Sequence, residues 1–122
     1  MMNNYKIKIS TNLLMKVREV TSSYLPISHS IIPYQILLVV MHHHTTNEEL
    51  TVKKLFNSGA FSEMGNRYHY KKLVENQWIL LLDHPTDFRL KLIQPSDQLI
   101  HAFGAMTESL DLIFPEIFSR EE

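Results

Sequence analysis

From Thr11 to Tyr24 the apolar positions Leu13, Val17, Val20 and Tyr24 lie four, three and four residues apart. That spacing predicts a helix with one buried stripe, closed by Ser22-Ser23 and Pro26. Ahead of it, Tyr5 to Ile9 alternates too briefly to choose between an arm and a small strand. Ile27 to Ile32 reads as a loop, and Pro33 suits the first helical position, where a missing N–H costs nothing. Tyr34 to His44 follows as a helix. Its unbroken apolar run from Ile36 to Met41 places it at the centre of the core, with a buried strand as the competing reading. Thr51 is placed to cap a helix over Val52 to Ser58 that turns Val52, Leu55 and Phe56 inward and ends at Gly59. Ala60 and Phe61 make a turn, and Ser62 caps the next helix, Glu63 to Asn76. Trp78–Asp83 and Arg89–Gln94 then pair as strands around a loop from His84 to Phe88, with Pro85 outside the ladder. Ser96 caps a last helix whose seam is Leu99, Phe103, Met106, Leu110, Ile113 and Ile117, at heptad-like spacing, and Pro115 should kink or end it near Phe114.

Two short helices joined by a tight turn, then a two-stranded ribbon, is the order of parts in a winged helix-turn-helix. The fold class expected is therefore mainly α with a small β-ribbon (α+β). The expected organisation is a single winged-helix domain over residues 1–122, with 33–95 as the DNA-binding core and 1–32 and 96–122 as a dimerisation region.

Composition narrows the chemistry. An apolar fraction of 44% with 20% charged residues is ordinary for a soluble globular protein, and the absence of cysteine removes disulfides, thiolate metal sites and cysteine nucleophiles. The longest apolar runs are too short to span a bilayer, and the first ten residues lack the apolar stretch of a signal peptide. The expected compartment is the cytoplasm, with no membrane partner. His42-His43-His44 invites a metal reading, but adjacent helical residues point about 100° apart and cannot converge on one ion. No metal, cofactor or catalytic residue is assigned. The acids are scattered and three glycines cannot build a phosphate-cradling loop.

The net charge of −1, taken alone, argues against a nucleic-acid partner. Its distribution argues otherwise. Residues 51–92 hold seven basic and four acidic side chains, whereas residues 93–122 hold one basic and six acidic. Phosphates feel the local field within about 8 Å, not the total.

The chain resembles the MarR family of winged-helix transcriptional regulators over about residues 33–110. The residues that carry the resemblance are Leu50-Thr51-Val52-Lys53-Lys54-Leu55, the Ser62-capped helix, and Leu73 through Gln77-Trp78-Ile79. The most specific stretch is His84-Pro85-Thr86-Asp87-Phe88-Arg89, which looks like the family's Asp-x-Arg wing, followed by Lys91-Leu92-Ile93 and Ser96. Gln77 stands where the family has glycine, and Asn66 and His69 where its recognition helix turns apolar residues to the core. The resemblance implies double-stranded DNA as partner, a small-molecule effector as an optional one, and repression as the role.

With Tyr70 and Leu73 inward, helical geometry sends Ser62, Met64, Arg67, Tyr68 and Lys71 outward, toward a major groove. Arg67 suits bidentate reading of guanine, Ser62 and Lys71 suit phosphates, and Tyr68 suits either. On the wing, His84, Thr86, Asp87, Arg89 and Lys91 form the second candidate surface. Arg89 would enter the minor groove, with Asp87 orienting it or the turn. The terminal helices carry the dimerisation residues: Leu13, Val17 and Val20 from the first; Leu99, Phe103, Met106, Leu110, Ile113, Phe114 and Ile117 from the last. A two-fold axis there would set two recognition helices about one DNA turn apart on a pseudo-palindrome. The competing reading is a winged-helix module used for protein contact, such as a replication or phage-derived adaptor.

Overall fold

The computed structural model describes residues 3–27, 30–57 and 62–114. Ser58, Gly59, Ala60 and Phe61, where a helix end and turn are expected, lie outside the described residues, as do residues 115–122 with Pro115 and Ile117. In chain order the elements are α1 (Asn4–Tyr24), α2 (Ile31–Thr45), α3 (Val52–Phe56), α4 (Glu63–Glu75), β1 (Ile79–Asp83), β2 (Lys91–Pro95) and α5 (Asp97–Ile113). They divide into two compact units, Pro26–Ile100 and the terminal segments Met1–Leu25 with His101–Glu122. Among the described residues no helix is long and apolar enough to cross a membrane.

In the terminal unit, α1 begins seven residues before the first residue of the expected helix. Asn3 supplies the missing start: its Oδ1 accepts the N–H groups of Tyr5 at 2.9 Å and Lys6 at 3.4 Å. The Tyr5–Ile9 alternation marks neither an arm nor a strand, because these residues are helical and Tyr5, Ile7 and Ile9 are 70%, 44% and 42% exposed. Leu13, Val17, Val20 and Tyr24 do form the sheltered stripe, each half-buried. Tyr24 ties α1 to α5 through a 2.9 Å hydrogen bond between its hydroxyl and Ser109 Oγ. The helix stops where Leu25, preceding Pro26, is forced to extended backbone.

In the larger unit, α2 starts two residues before Pro33, so Ile31 and Ile32 are helical rather than loop. Ser30 caps it, accepting Ile32 N–H at 3.2 Å, and Pro33 falls within the first turn, where its lost donor still costs nothing. Ile36, Leu37 and Val40 are buried at 2% exposure or less, and α2 packs on α4 and β2. It ends in a Schellman motif: Glu48 N–H reaches His43 O at 2.9 Å, Asn47 N–H reaches His44 O at 3.3 Å, and Asn47 takes φ 58°.

The ribbon pairs β1 with β2 antiparallel, Ile79 opposite Pro95 through Asp83 opposite Lys91. β1 starts one residue later than expected and ends at Asp83 as expected, whereas β2 runs later than expected at both ends, so Arg89 belongs to the loop rather than to β2. Simple alternation also fails in β2, where Leu92 and Ile93 are buried together. A third strand-like segment pairs with β2. Ile93 N–H donates to Leu50 O at 2.8 Å, and Thr51 bridges Leu92. β2 is therefore the middle of three paired segments and packs on α2 and α3.

Candidate nucleic-acid interface

The sequence builds α4 as an exposed helix held by few anchors. Ser62 caps it, its Oγ accepting Gly65 N–H at 3.1 Å, which leaves the hydroxyl proton to donate outward. A Cβ on Gly65 would lie 2.9 Å from Ile32 Cδ1, so glycine lets the first turn of α4 approach α2 closely. Leu73 is buried, and Asn66 is buried at 5% exposure, a polar residue in the inward position where an apolar one is usual. Tyr70 is half-buried with its ring edge-on to Phe56 at 5.2 Å, and that burial raises its phenol pKa above the ordinary value.

The outer face carries the side chains expected there. Met64 is 83% exposed and Tyr68 55%, and Ser62, Arg67 and Lys71 are exposed. Arg67 is not a bare cation. Its Nη2 donates to Glu63 Oε1 at 2.9 Å, and its guanidinium lies 5.2 Å from the Phe56 ring centroid. Lys72 Nζ stands 5.2 Å from the Tyr68 ring centroid, so these two side chains form a second cation–aromatic pair on α4.

At the other end of α4 the chain turns through Gln77 at φ 61°. Gln77 N–H bonds Val74 O at 3.1 Å and Trp78 N–H bonds Leu73 O at 2.9 Å, a Schellman closure in which the left-handed position falls on glutamine instead of glycine. Ser96 Oγ donates to Trp78 O at 2.9 Å while accepting Leu99 N–H at 3.2 Å, so one hydroxyl joins the ribbon base to the start of α5.

The wing tip is built around Asp87. Its Oδ1 accepts both the backbone N–H of Arg89 at 3.1 Å and Arg89 Nε at 3.0 Å, and its Oδ2 accepts Arg89 Nη2 at 3.1 Å. The two expected roles of Asp87, shaping the turn and orienting the guanidinium, are met by one carboxylate. These bonds to Arg89 hold the Asp87 pKa below the usual carboxylate value and raise that of Arg89. Arg89 remains 78% exposed. Thr86 is exposed, and Lys91 is paired with Asp83 across the ribbon.

Three features differ from the expected surface. His84 does not face outward: its side chain is only 15% exposed and both ring nitrogens are engaged within the protein. Leu99 and Met106, expected at a dimer seam, are 0% and 5% exposed in the single chain and have no surface to offer a second one. Phe103, Leu110, Ile113 and Phe114 stay half-buried, and Ile117 lies outside the described residues. The third feature is Phe88, which is 86% exposed between Asp87 and Arg89. A lone aromatic in an otherwise polar loop was the available signal for it.

No protein-family model matches the sequence, and no curated protein matches it. Solved structures do. The S. aureus MepR–DNA complex superposes with a TM-score of 0.72 at 16% identity, covering 98% of this chain and 86% of MepR. S. aureus MepR bound to ethidium bromide gives 0.73 at 16% identity, over 100% of this chain and 84% of that one. The transcriptional regulator PA4135 gives 0.61 at 10% identity, over 99% and 84%. The chain thus has the winged-helix fold of these regulators along essentially its whole length.

Proposed function

We infer that this protein is a sequence-specific double-stranded DNA-binding transcriptional regulator of the MarR type, acting as a dimeric repressor. The observation that carries the reading is Arg89, held out at the wing tip by three hydrogen bonds to Asp87 and still exposed. On a winged helix that geometry suits insertion into a narrow minor groove, whose negative potential attracts a guanidinium. The α4 helix supplies the major-groove element, with Arg67 as base reader, Ser62 and Lys71 as phosphate donors, and Tyr68 and Met64 as groove contacts. A relative of the same fold solved on DNA supports the class, and one solved with ethidium supports a small-molecule effector. The dimer is assigned to the apolar residues that the terminal helices leave partly open: Leu13, Val17, Val20, Phe103, Leu110, Ile113 and Phe114.

The test is duplex binding, by selection from a random pool followed by anisotropy across a salt series. Binding through several phosphates should weaken steeply between about 50 and 200 mM salt. Arg67→Ala should relax preference at one base position, and Arg89→Ala should weaken binding. Wild-type affinity in both variants would reject the assigned surface, and a salt-independent interaction would favour a protein-contact module. A monomer by sedimentation at micromolar concentration, with and without DNA, would remove the dimer.

A further inference from the structure

His84 sits at the base of the wing loop with its side chain largely enclosed. Its Nδ1 lies 3.2 Å from the backbone nitrogen of Thr86 and 3.1 Å from that of Asp87. Backbone N–H groups can only donate, so Nδ1 must be an unprotonated acceptor. The neutral ring then carries its proton on Nε2, which stands 3.3 Å from Glu49 Oε1 and donates to it. Glu49 belongs to the segment between α2 and α3, outside the wing. The loop is also closed by Leu90 N–H on Asp87 O at 3.0 Å.

We propose that His84 is a positioning residue for Arg89, acting through the backbone of Asp87. This deepens, and rests on, the reading of Arg89 as a minor-groove contact. By accepting the N–H of Asp87, the imidazole sets the direction in which the Asp87 carboxylate leaves the chain. That carboxylate in turn holds the Arg89 guanidinium. Glu49 fixes the ring from its other nitrogen, so the wing arginine is referenced through Glu49, His84 and Asp87 to the helical body. The arrangement works only while Nδ1 is free of a proton. An imidazolium presents N–H at both nitrogens, and the two amides of Thr86 and Asp87 then lose their acceptor. The charged groups around the ring are the carboxylates of Glu49 and Asp87, with Arg89 paired to the latter.

Three substitutions separate this from a merely structural role. The Oδ1 of asparagine occupies the place of Nδ1 and can accept the same amides, whereas the acceptor of glutamine falls near Nε2. In the free protein, amide exchange at Thr86 and Asp87 should stay slow in His84→Asn and become fast in His84→Gln and His84→Ala. With duplex DNA, His84→Gln and His84→Ala should each weaken binding about two- to tenfold, the reach of one lost hydrogen-bond set, while His84→Asn keeps most of the affinity. The loss should vanish in an Arg89→Ala background, because His84 acts only through that side chain. Equal binding by His84→Ala and the wild type, or an additive loss with Arg89→Ala, would overturn the proposal. Wild-type protein that binds no duplex would instead overturn the DNA-binding reading. Fast exchange at Thr86 and Asp87 in the wild type would by itself reject the His84 geometry, whatever the DNA result.

Discussion

Arg67 Nη2 donates to Glu63 Oε1 at 2.9 Å along the outer face of α4, one helical turn apart, with both side chains more than half exposed. The best candidate for base reading is therefore already partnered before any ligand arrives. An exposed pair of this kind is worth only about 0.3–0.5 kcal/mol, against roughly 1–3 kcal/mol for a good bidentate base contact, so the pair yields readily. On the proposed DNA-binding face it would also set a carboxylate beside the groove, where phosphates would repel it.

Glu63→Gln should accordingly bind duplex DNA several-fold more tightly at low salt. It should also lose up to about 1 kcal/mol of stability, because a carboxylate in the first turn of a helix interacts favourably with its dipole. Anisotropy titrations and urea denaturation read the two effects separately. Unchanged affinity would mean that Arg67 does not reach the DNA.

Asp87 gives a second expectation. Its pKa is depressed by the bonds to Arg89, so the interaction is present above the ordinary carboxylate value. It should be lost only as pH falls through the lower, folded value. A carbon-13 titration should find the Asp87 midpoint below the ordinary aspartate value. Asp87→Ala should weaken duplex binding even though it removes a negative charge, since the guanidinium loses its fixed orientation. Tighter binding would show that charge outweighs orientation at the wing.

Tyr70 titrates in the opposite sense. Burial raises its pKa, so the folded state holds the phenol proton more firmly than the unfolded chain does. The resulting stability is whole below the ordinary tyrosine pKa of about 10 and is lost as pH rises through the folded value. Tyr70→Phe should flatten the alkaline limb of a stability–pH curve. A limb identical in both proteins would place that sensitivity elsewhere.

Gln77 offers a stabilising change. A non-glycine residue in the left-handed region costs roughly 1–2 kcal/mol, whereas glycine gives back about 0.5–1 kcal/mol through the freedom of the unfolded chain. Gln77→Gly should therefore raise the urea midpoint with the slope unchanged, a stability gain of up to about 1 kcal/mol. A lower midpoint would mean that the glutamine side chain makes a compensating contact.

Much of this was readable from the residues in order. Caps announced themselves: Thr51, Ser62 and Ser96 each accept the backbone N–H expected of them, because capping depends on a side chain and a donor within three residues. The outward set on α4 followed from helical periodicity once Leu73 was taken as inward. The Asp87–Arg89 pair was legible for the same reason, being two residues apart.

What the tertiary structure alone decided involves partners distant in the chain. His84 looks like a wing-surface residue until Glu49, 35 positions away, engages its Nε2 and the loop folds two amides onto its Nδ1. β2 has Leu50 and Thr51 paired along its second edge, a contact no period within Lys91–Pro95 can signal. Leu99 and Met106 kept the spacing of a seam yet are enclosed within one chain, since periodicity identifies an apolar face but not what covers it. Local hydrogen bonds and spacing thus set the elements, their caps and the wing pair. Long-range packing set which of those side chains remain free to meet another molecule.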